Sequence, residues 1–231
     1  MRDTLTRGLP ELGVDLKYIE QLEGFSSMLV EKNKVMNLTG ITEPREVAVL
    51  HLLDSLALLP MAPLSGKKIV DVGTGAGFPG VPLKIALPES HVTLLDSLNK
   101  RIEFLKESCD ALGLADVDCV HARAEEFGHR EEYDYAVSRA VASLPVLCEL
   151  CLPLVKVGGE FLAMKSSHTE DEINDAKRAI ALLGGKITEV IDYTIPTTDI
   201  VHRVVRIEKI APTAKKYPRR FAQIKKQPLG Q

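Results

Sequence analysis

Two patterns of apolar residues follow one another along the chain. Up to residue 60 the spacing is helical. Tyr18, Ile19, Leu22, Phe25, Met28 and Leu29 recur three and four apart and predict one buried stripe. After a turn-like Asn37-Leu38-Thr39-Gly40, Thr42 is expected to cap a further helix carrying Val47, Leu50, Leu53, Ser55 and Leu58 and ending near Pro60. Pro63 to Gly66 reads as a linker. Beyond it short apolar runs alternate with helical stretches. Strands are predicted at Lys67–Val72, His91–Asp96, Asp116–His121, Tyr133–Ser138 and Glu160–Lys165. Between and after them, Asn99–Leu112, Leu144–Leu154 and Glu170–Leu183 read as helices. Such alternation builds a buried parallel sheet. Lys186–Ile195 and Ile200–Ile210 have no helix between them and should form an antiparallel hairpin across Pro196-Thr197-Thr198-Asp199. The expected fold is α/β and Rossmann-like: five parallel strands, a terminal antiparallel hairpin making seven, and an N-terminal helical cap. As a single domain it divides into a cap over 1–62, a core over 66–210 and a basic tail over 211–231.

Composition adds bounds. The 231 residues are 45% hydrophobic and 26% charged, ordinary for a globular chain. No apolar run approaches the ~20 residues that span a bilayer, and no secretory leader is recognisable at Met1–Leu12, so a cytoplasmic protein without membrane contact is expected. Four cysteines do not make a disulfide framework. The lone Cys148-Glu149-Leu150-Cys151 lacks a second ligand pair, so buried thiols and no metal are expected. Net charge is −3, but Lys209 to Lys226 holds seven basic residues and no acid, leaving the rest at −10. A basic tail can bind a polyanion within a Debye length of roughly 8 Å, or simply be solvated.

The chemistry centres on Asp71-Val72-Gly73-Thr74-Gly75-Ala76-Gly77-Phe78-Pro79-Gly80, which leaves the first strand and enters a helix. Glycines there admit positive φ and close ligand approach, at the strand ends where α/β sheets bind ligands. Asp96 ends the second strand, 19 residues beyond Gly77, where an acid can accept from ribose hydroxyls. The spacing is Gly-x-Gly-x-Gly rather than the dinucleotide Gly-x-Gly-x-x-Gly, and no Gly-Lys-Ser/Thr marks a P-loop. Asp71 beside the turn would repel a pyrophosphate but help hold an ammonium, directly or through water. These electrostatics favour S-adenosylmethionine over NAD or ATP.

Together with Asn37-Leu38-Thr39, His51-Leu52-Leu53-Asp54-Ser55-Leu56, Leu95 to Arg101, Arg123-Ala124-Glu125, Ser138-Arg139-Ala140, Lys165, Lys216-Tyr217-Pro218-Arg219-Arg220 and Pro228-Leu229, this loop closely resembles the bacterial 16S rRNA guanine-N7 methyltransferase family. That family is small-subunit methyltransferase G, also called glucose-inhibited division protein B. The resemblance runs from about residue 20 to the end. Where many members carry Trp this chain has Lys32, and Leu50 stands where many have a basic residue. The resemblance implies a class I methyltransferase using S-adenosyl-L-methionine, with 16S rRNA or the small ribosomal subunit as partner. It places cofactor contacts at Gly73, Phe78, Ala124, Glu125 and Arg139.

Residue chemistry then assigns roles beside that expectation. Glu125, after the third strand, can meet an adenine edge, with Ala124 on its face; otherwise it is an acid in a first helical turn. Arg139 and Lys165, at the ends of the fourth and fifth strands, are candidate guanine contacts, and Arg139 is also placed to meet the methionine carboxylate. Lys100 and Arg101 oppose the dipole of the helix they open, which hints at a polyanion as strongly as at solvated charge. His51 is expected to be a hydrogen-bonded structural residue, with Asp54 and Ser55 stapling its own helix. Guanine N7 bears no proton, so no general base is required. Positioning at roughly 3 Å and electrostatics would carry the transfer. A monomer is expected. The other readings are a methyltransferase for a small molecule or protein, and a non-catalytic RNA-binding protein; an NAD oxidoreductase fits the glycine spacing least.

Overall fold

The computed structural model describes residues 1–139 and 142–230. Ala140, of the segment quoted above, lies outside the described residues. The cap comprises α1 (Arg2–Glu11), α2 (Ile19–Met36), α3 (Pro44–Glu46), a π-helical stretch (Val47–Leu53) and α4 (Asp54–Leu56). The core follows with β1 (Lys68–Val72), α5 (Gly80–Ala86), β2 (His91–Asp96), α6 (Asn99–Ala111), β3 (Val117–His121), β4 (Tyr133–Arg139), α7 (Leu144–Cys151), β5 (Val155–Ser166), α8 (Glu170–Leu182), β6 (Gly185–Thr194) and β7 (Val201–Lys209). A last helix, α9 (Phe221–Lys226), closes the chain.

The described strands form one sheet in the order β3-β2-β1-β4-β5-β7-β6. β1 to β5 run parallel, and β7 and β6 are antiparallel, as the two alternation patterns predict. Neighbouring residues on a strand feed opposite faces. Ile69, Leu94, Val137 and Leu162 belong to the cluster under the cap, α5 and α6. Val70, Leu95, Ala136 and Phe161 belong to the cluster under α7, α8 and α9. That double cover is why these strands read as continuous apolar runs.

β5 begins at Val155, five residues before the expected start. Gly158, at φ +87°, and Gly159 interrupt the apolar run there, and the pairing with β4 shifts register between Tyr133 and Tyr135. Glycine inside a strand marks such irregularities and hides the strand from a pattern search. The cap before the second cap segment also moves by one: Glu43, not Thr42, is the N-cap, its carboxylate accepting from the Glu46 N–H at 2.8 Å with Pro44 in the first turn. The π turn that follows has no signal in the spacing. Among the described residues no helix is long and apolar enough to cross a membrane.

The cap is fixed to the glycine loop by aromatic packing. Phe25, fully buried on α2, lies 5.5 Å from the ring of Phe78 and 6.3 Å from that of Phe104 on α6. Burying a side chain of this size is worth roughly 1.5–3 kcal/mol. The basic tail is docked as well. Tyr217 and Ile224 are buried against the α7 side, and Arg219 grips Glu149, a fully buried carboxylate on α7, through its backbone N–H and its guanidinium at 2.6–3.2 Å. Lys209, counted with the tail's charge, is fully buried and donates to Leu152 O at 2.6 Å and Thr213 Oγ1 at 2.7 Å. Lys215, Lys216, Arg220, Lys225 and Lys226 remain exposed.

Candidate functional site

A crevice of about 530 Å³ opens where β1 and β2 end, within the range of small-ligand sites. Four of the expected cofactor residues line it: Gly73, Phe78, Asp96 and Arg139. Thr39, His51, Thr74, Ser97 and Arg101 complete its polar lining.

The floor is the glycine turn. Gly73 and Gly75 hold φ of +72° and +60°, which side chains adopt only under strain. A Cβ on Gly75 would meet only Gly73 O, at 3.9 Å, and would otherwise project into open space. The turn thus presents bare backbone to a ligand. Gly73 N–H and Thr74 N–H both donate to Leu95 O, at 2.8 and 3.0 Å, and lock the turn to β2.

Asp71 organises the turn from below instead of reaching the crevice. Its carboxylate is fully buried, and Oδ2 accepts from Thr74 Oγ1 at 2.7 Å and Gly80 N–H at 2.8 Å. Burial pushes its carboxyl up to about 7, against those two hydrogen bonds. Asp71 is not among the residues lining the crevice, and its carboxylate works inside the loop. Oδ1 is buried without a partner.

Asp96, 4% exposed, is the acid at the rim. It accepts from Gly75 N–H at 2.9 Å, Leu98 N–H at 2.8 Å and Arg101 Nη1 at 3.2 Å. Arg101, at the opening of α6, thus serves the crevice, while Lys100 is exposed. Ala124 and Glu125 sit on a 3-10 turn after β3, outside the crevice lining. Their turn is tied to the rim because Ala122 N–H donates to Asp96 O at 3.2 Å.

Arg139 closes the crevice on the β4 side. Nη1 donates to Leu50 O at 2.8 Å and to Asp54 Oδ2 at 2.7 Å, both in the cap. Its guanidinium lies 5.2 Å from the Phe78 ring, a cation–π contact. Nη2 lies 3.2 Å from His51 Nδ1. The same Nδ1 lies 3.2 Å from Leu50 O, and Nε2 meets Thr39 Oγ1 at 2.8 Å. His51 stacks on Phe78 at 4.5 Å. Burial, and then the charge of Arg139, lower its pKa to about 4, so the ring is neutral at pH 7.

Sequence reasoning missed the reach of Asp54. Beyond its own helix, it joins three elements while 1% exposed. Oδ1 accepts from Tyr193 OH at 2.7 Å and His202 Nδ1 at 2.8 Å, from the two strands of the hairpin, and Oδ2 takes Arg139. Burial alone would raise its carboxyl; the His202 hydrogen bond, the Arg139 charge and Tyr193 outweigh it and hold the carboxyl below its usual range. Only the expected staple, Ser55 Oγ to His51 O at 2.5 Å, is local to the helix. Its i, i+3 spacing gave no hint of partners 85 to 148 residues away.

Lys165 ends β5 with its side chain 7% exposed, donating to Ala142 O and Glu172 Oε2, both at 2.7 Å. It faces a neighbouring cavity, not the glycine turn. Cys148 and Cys151 are free, buried on α7, and burial pushes both thiols up.

The chain matches the sequence profile of a family described as rRNA small subunit methyltransferase G over residues 18–201. It is 51% identical to the ribosomal RNA small subunit methyltransferase G of Alkaliphilus metalliredigens, with 97% of each chain covered. To the protein of that name from Alkaliphilus oremlandii it is 48% identical, over 99% of each. Among solved structures it is similar to a SAM dependent methyltransferase from Aquifex aeolicus, with a TM-score of 0.54, 16% identity, and 72% of this chain and 94% of that one covered. It is also similar to TrmN from Thermus thermophilus, with a TM-score of 0.53, 22% identity, and 68% and 48% covered. At such identities the structural likeness speaks for the fold alone.

Proposed function

The chain belongs to the rRNA small subunit methyltransferase G family, and on that premise we propose that it transfers a methyl group from S-adenosylmethionine to N7 of one guanine in 16S rRNA. The observation that carries the cofactor site is the convergence of Gly73, Phe78, Asp96 and Arg139 on one crevice. The donor set fits a ligand without phosphates: an acid at the rim, an aromatic floor and bare backbone, with a second carboxyl beneath the turn.

When bound, the cofactor supplies an electrophilic methyl carried on a sulfonium. The chain's residues position and shield. Asp96 holds Gly75 and Leu98 in place and offers remaining lone pairs to ribose hydroxyls. Ala124 and Glu125, on the turn tied to Asp96, would flank the adenine. Arg139 and the neutral His51 close the far end, and Arg139 or Lys165 donates to guanine O6. Neither needs to take a proton, because N7 attacks through a free lone pair. Positive charge moves onto the base during transfer, so donors at O6 act by orientation and field. The base must leave its stack to enter.

Action as a monomer in the cytoplasm, where such a substrate is made, is part of this reading. The deciding experiment is transfer of labelled methyl from the cofactor to 16S rRNA lacking the modification, with mass-spectrometric mapping. The expected product is a single 7-methylguanine; no incorporation, or incorporation into another atom or nucleotide type, rejects the proposal.

A further inference from the structure

On the hairpin side of Arg139 lies a second cavity of about 520 Å³. It shares His51 and Arg139 with the cofactor crevice, so the two cavities are neighbours across these side chains. Ile41, Leu50 and Met164 give it apolar walls, suited to the faces of a flat base.

Its polar end is the Lys165–Glu172 pair. Lys165 Nζ spends two of its three N–H groups, on Ala142 O and Glu172 Oε2. Glu172 Oε2 also accepts Leu144 N–H at 2.9 Å, the first residue of α7, and is thereby filled. Oε1 has no hydrogen-bond partner among the described residues. Lys165 is anchored to the α7 approach and Glu172 to α7 itself, so neither can swing freely. Beside Ser166 and Thr169, this end of the cavity thus carries one anchored donor next to one anchored acceptor.

Guanine presents the complementary order on its Watson–Crick edge: the O6 acceptor beside the N1–H donor. Adenine presents the reverse, an N6 amino donor beside the N1 acceptor. We propose that Lys165 and Glu172 determine base specificity, the spare Lys165 N–H meeting O6 and Glu172 Oε1 accepting N1–H. N7 lies on the other side of O6 and is left free of both. This rests on the guanine-N7 reading above and names the residue that enforces it: Glu172, which neither the motifs nor the strand ends singled out.

The test uses 16S rRNA assembled with either guanine or 2,6-diaminopurine at the methylated position. The analogue keeps N7 and the N2 amino group but reverses the O6 and N1 positions. Wild-type kcat/KM should fall about tenfold or more on the analogue, as for one mismatched base contact. Glu172→Gln can turn an amide N–H toward N1, so it should lose activity on guanine and discriminate between the two RNAs by less than about threefold. Its cofactor affinity by calorimetry and its thermal midpoint should match wild type. A variant methylating guanine at the wild-type rate, or keeping the wild-type ratio, overturns the assignment. Equal wild-type rates on the two RNAs also overturn it, whether or not the variant folds. Wild type failing to methylate the guanine RNA would instead strike the proposed function.

Discussion

Asp96 and Gly73 govern the crevice for different physical reasons, and substituting each tests a different part of it. Asp96 fixes two backbone N–H groups from opposite sides of the crevice mouth. Asp96→Ala leaves both unpaired and removes the rim acid, so cofactor binding measured by calorimetry should drop below detection. Gly73→Val places a β-branched residue at φ +72°, a strain of about 1–3 kcal/mol, and crowds the backbone platform. Binding should again vanish; normal affinity in both variants would remove the site. His51 and Asp71 give the site opposing pH dependences. The folded pKa of His51, about 4, lies below the ordinary 6.5, so between those values the unfolded chain binds the extra proton. Its contribution is complete above pH 6.5 and is lost as pH falls toward 4, by up to about 3 kcal/mol. Asp71 acts with the opposite sign, because its raised pKa gives stability at low pH that fades as pH climbs to about 7. The difference between wild type and His51→Gln in urea melts at pH 7 and pH 4.5 isolates the histidine: the wild type should lose more on acidification. Equal losses would mean that the imidazole is not held neutral. The histidine was visible in the sequence as a structural residue. Its neutrality was not, because that depends first on burial in the folded chain and then on Arg139, 88 residues away.

Elements meet through single buried charges. Glu149 on α7 is fully buried, and Arg219 of the tail is its cationic partner. Arg219→Met would strand that carboxylate, at a cost of about 3 kcal/mol in urea-melt stability. The tail after residue 210 should then become the first site of limited proteolysis. Unchanged stability with an intact tail would show that Glu149 finds another partner. Helices and strands themselves were largely legible, because periodicity reports which face is buried. β2, α6 and the hairpin lie within a residue or two of their predicted bounds. The first half of β5 and the π turn were not. Gly158-Gly159 breaks the apolar pattern, and a wide helical turn has the same composition as a regular one. Yet that turn carries Leu50 O and His51 to Arg139, where π turns often serve function.

Across the whole molecule, charge decides how a polyanion is met. Lys209 and Arg219 are consumed by the fold, so the polyanion-facing share of the tail falls to Lys215, Lys216, Arg220, Lys225 and Lys226. Replacing Lys215, Lys216, Lys225 and Lys226 by Ala should keep the thermal midpoint and flatten the salt dependence of rRNA binding. About 0.7 to 0.9 is expected in the log–log slope for each phosphate contact removed. An unaltered slope would assign RNA binding to another face. The sequence by itself determined the sheet, its glycine turn, the acid at its rim and the family, since these follow from spacing along neighbouring residues and from motifs that survive in linear order. Only the tertiary structure decided which charges remain free, why Asp71 stays below the turn, and how Asp54 ties the cap and the hairpin to Arg139. It also decided that Lys165 and Glu172 share a cavity next to the crevice. Each of these depends on groups far apart in the chain meeting at hydrogen-bond distance, where burial, not residue type, sets what a charge does.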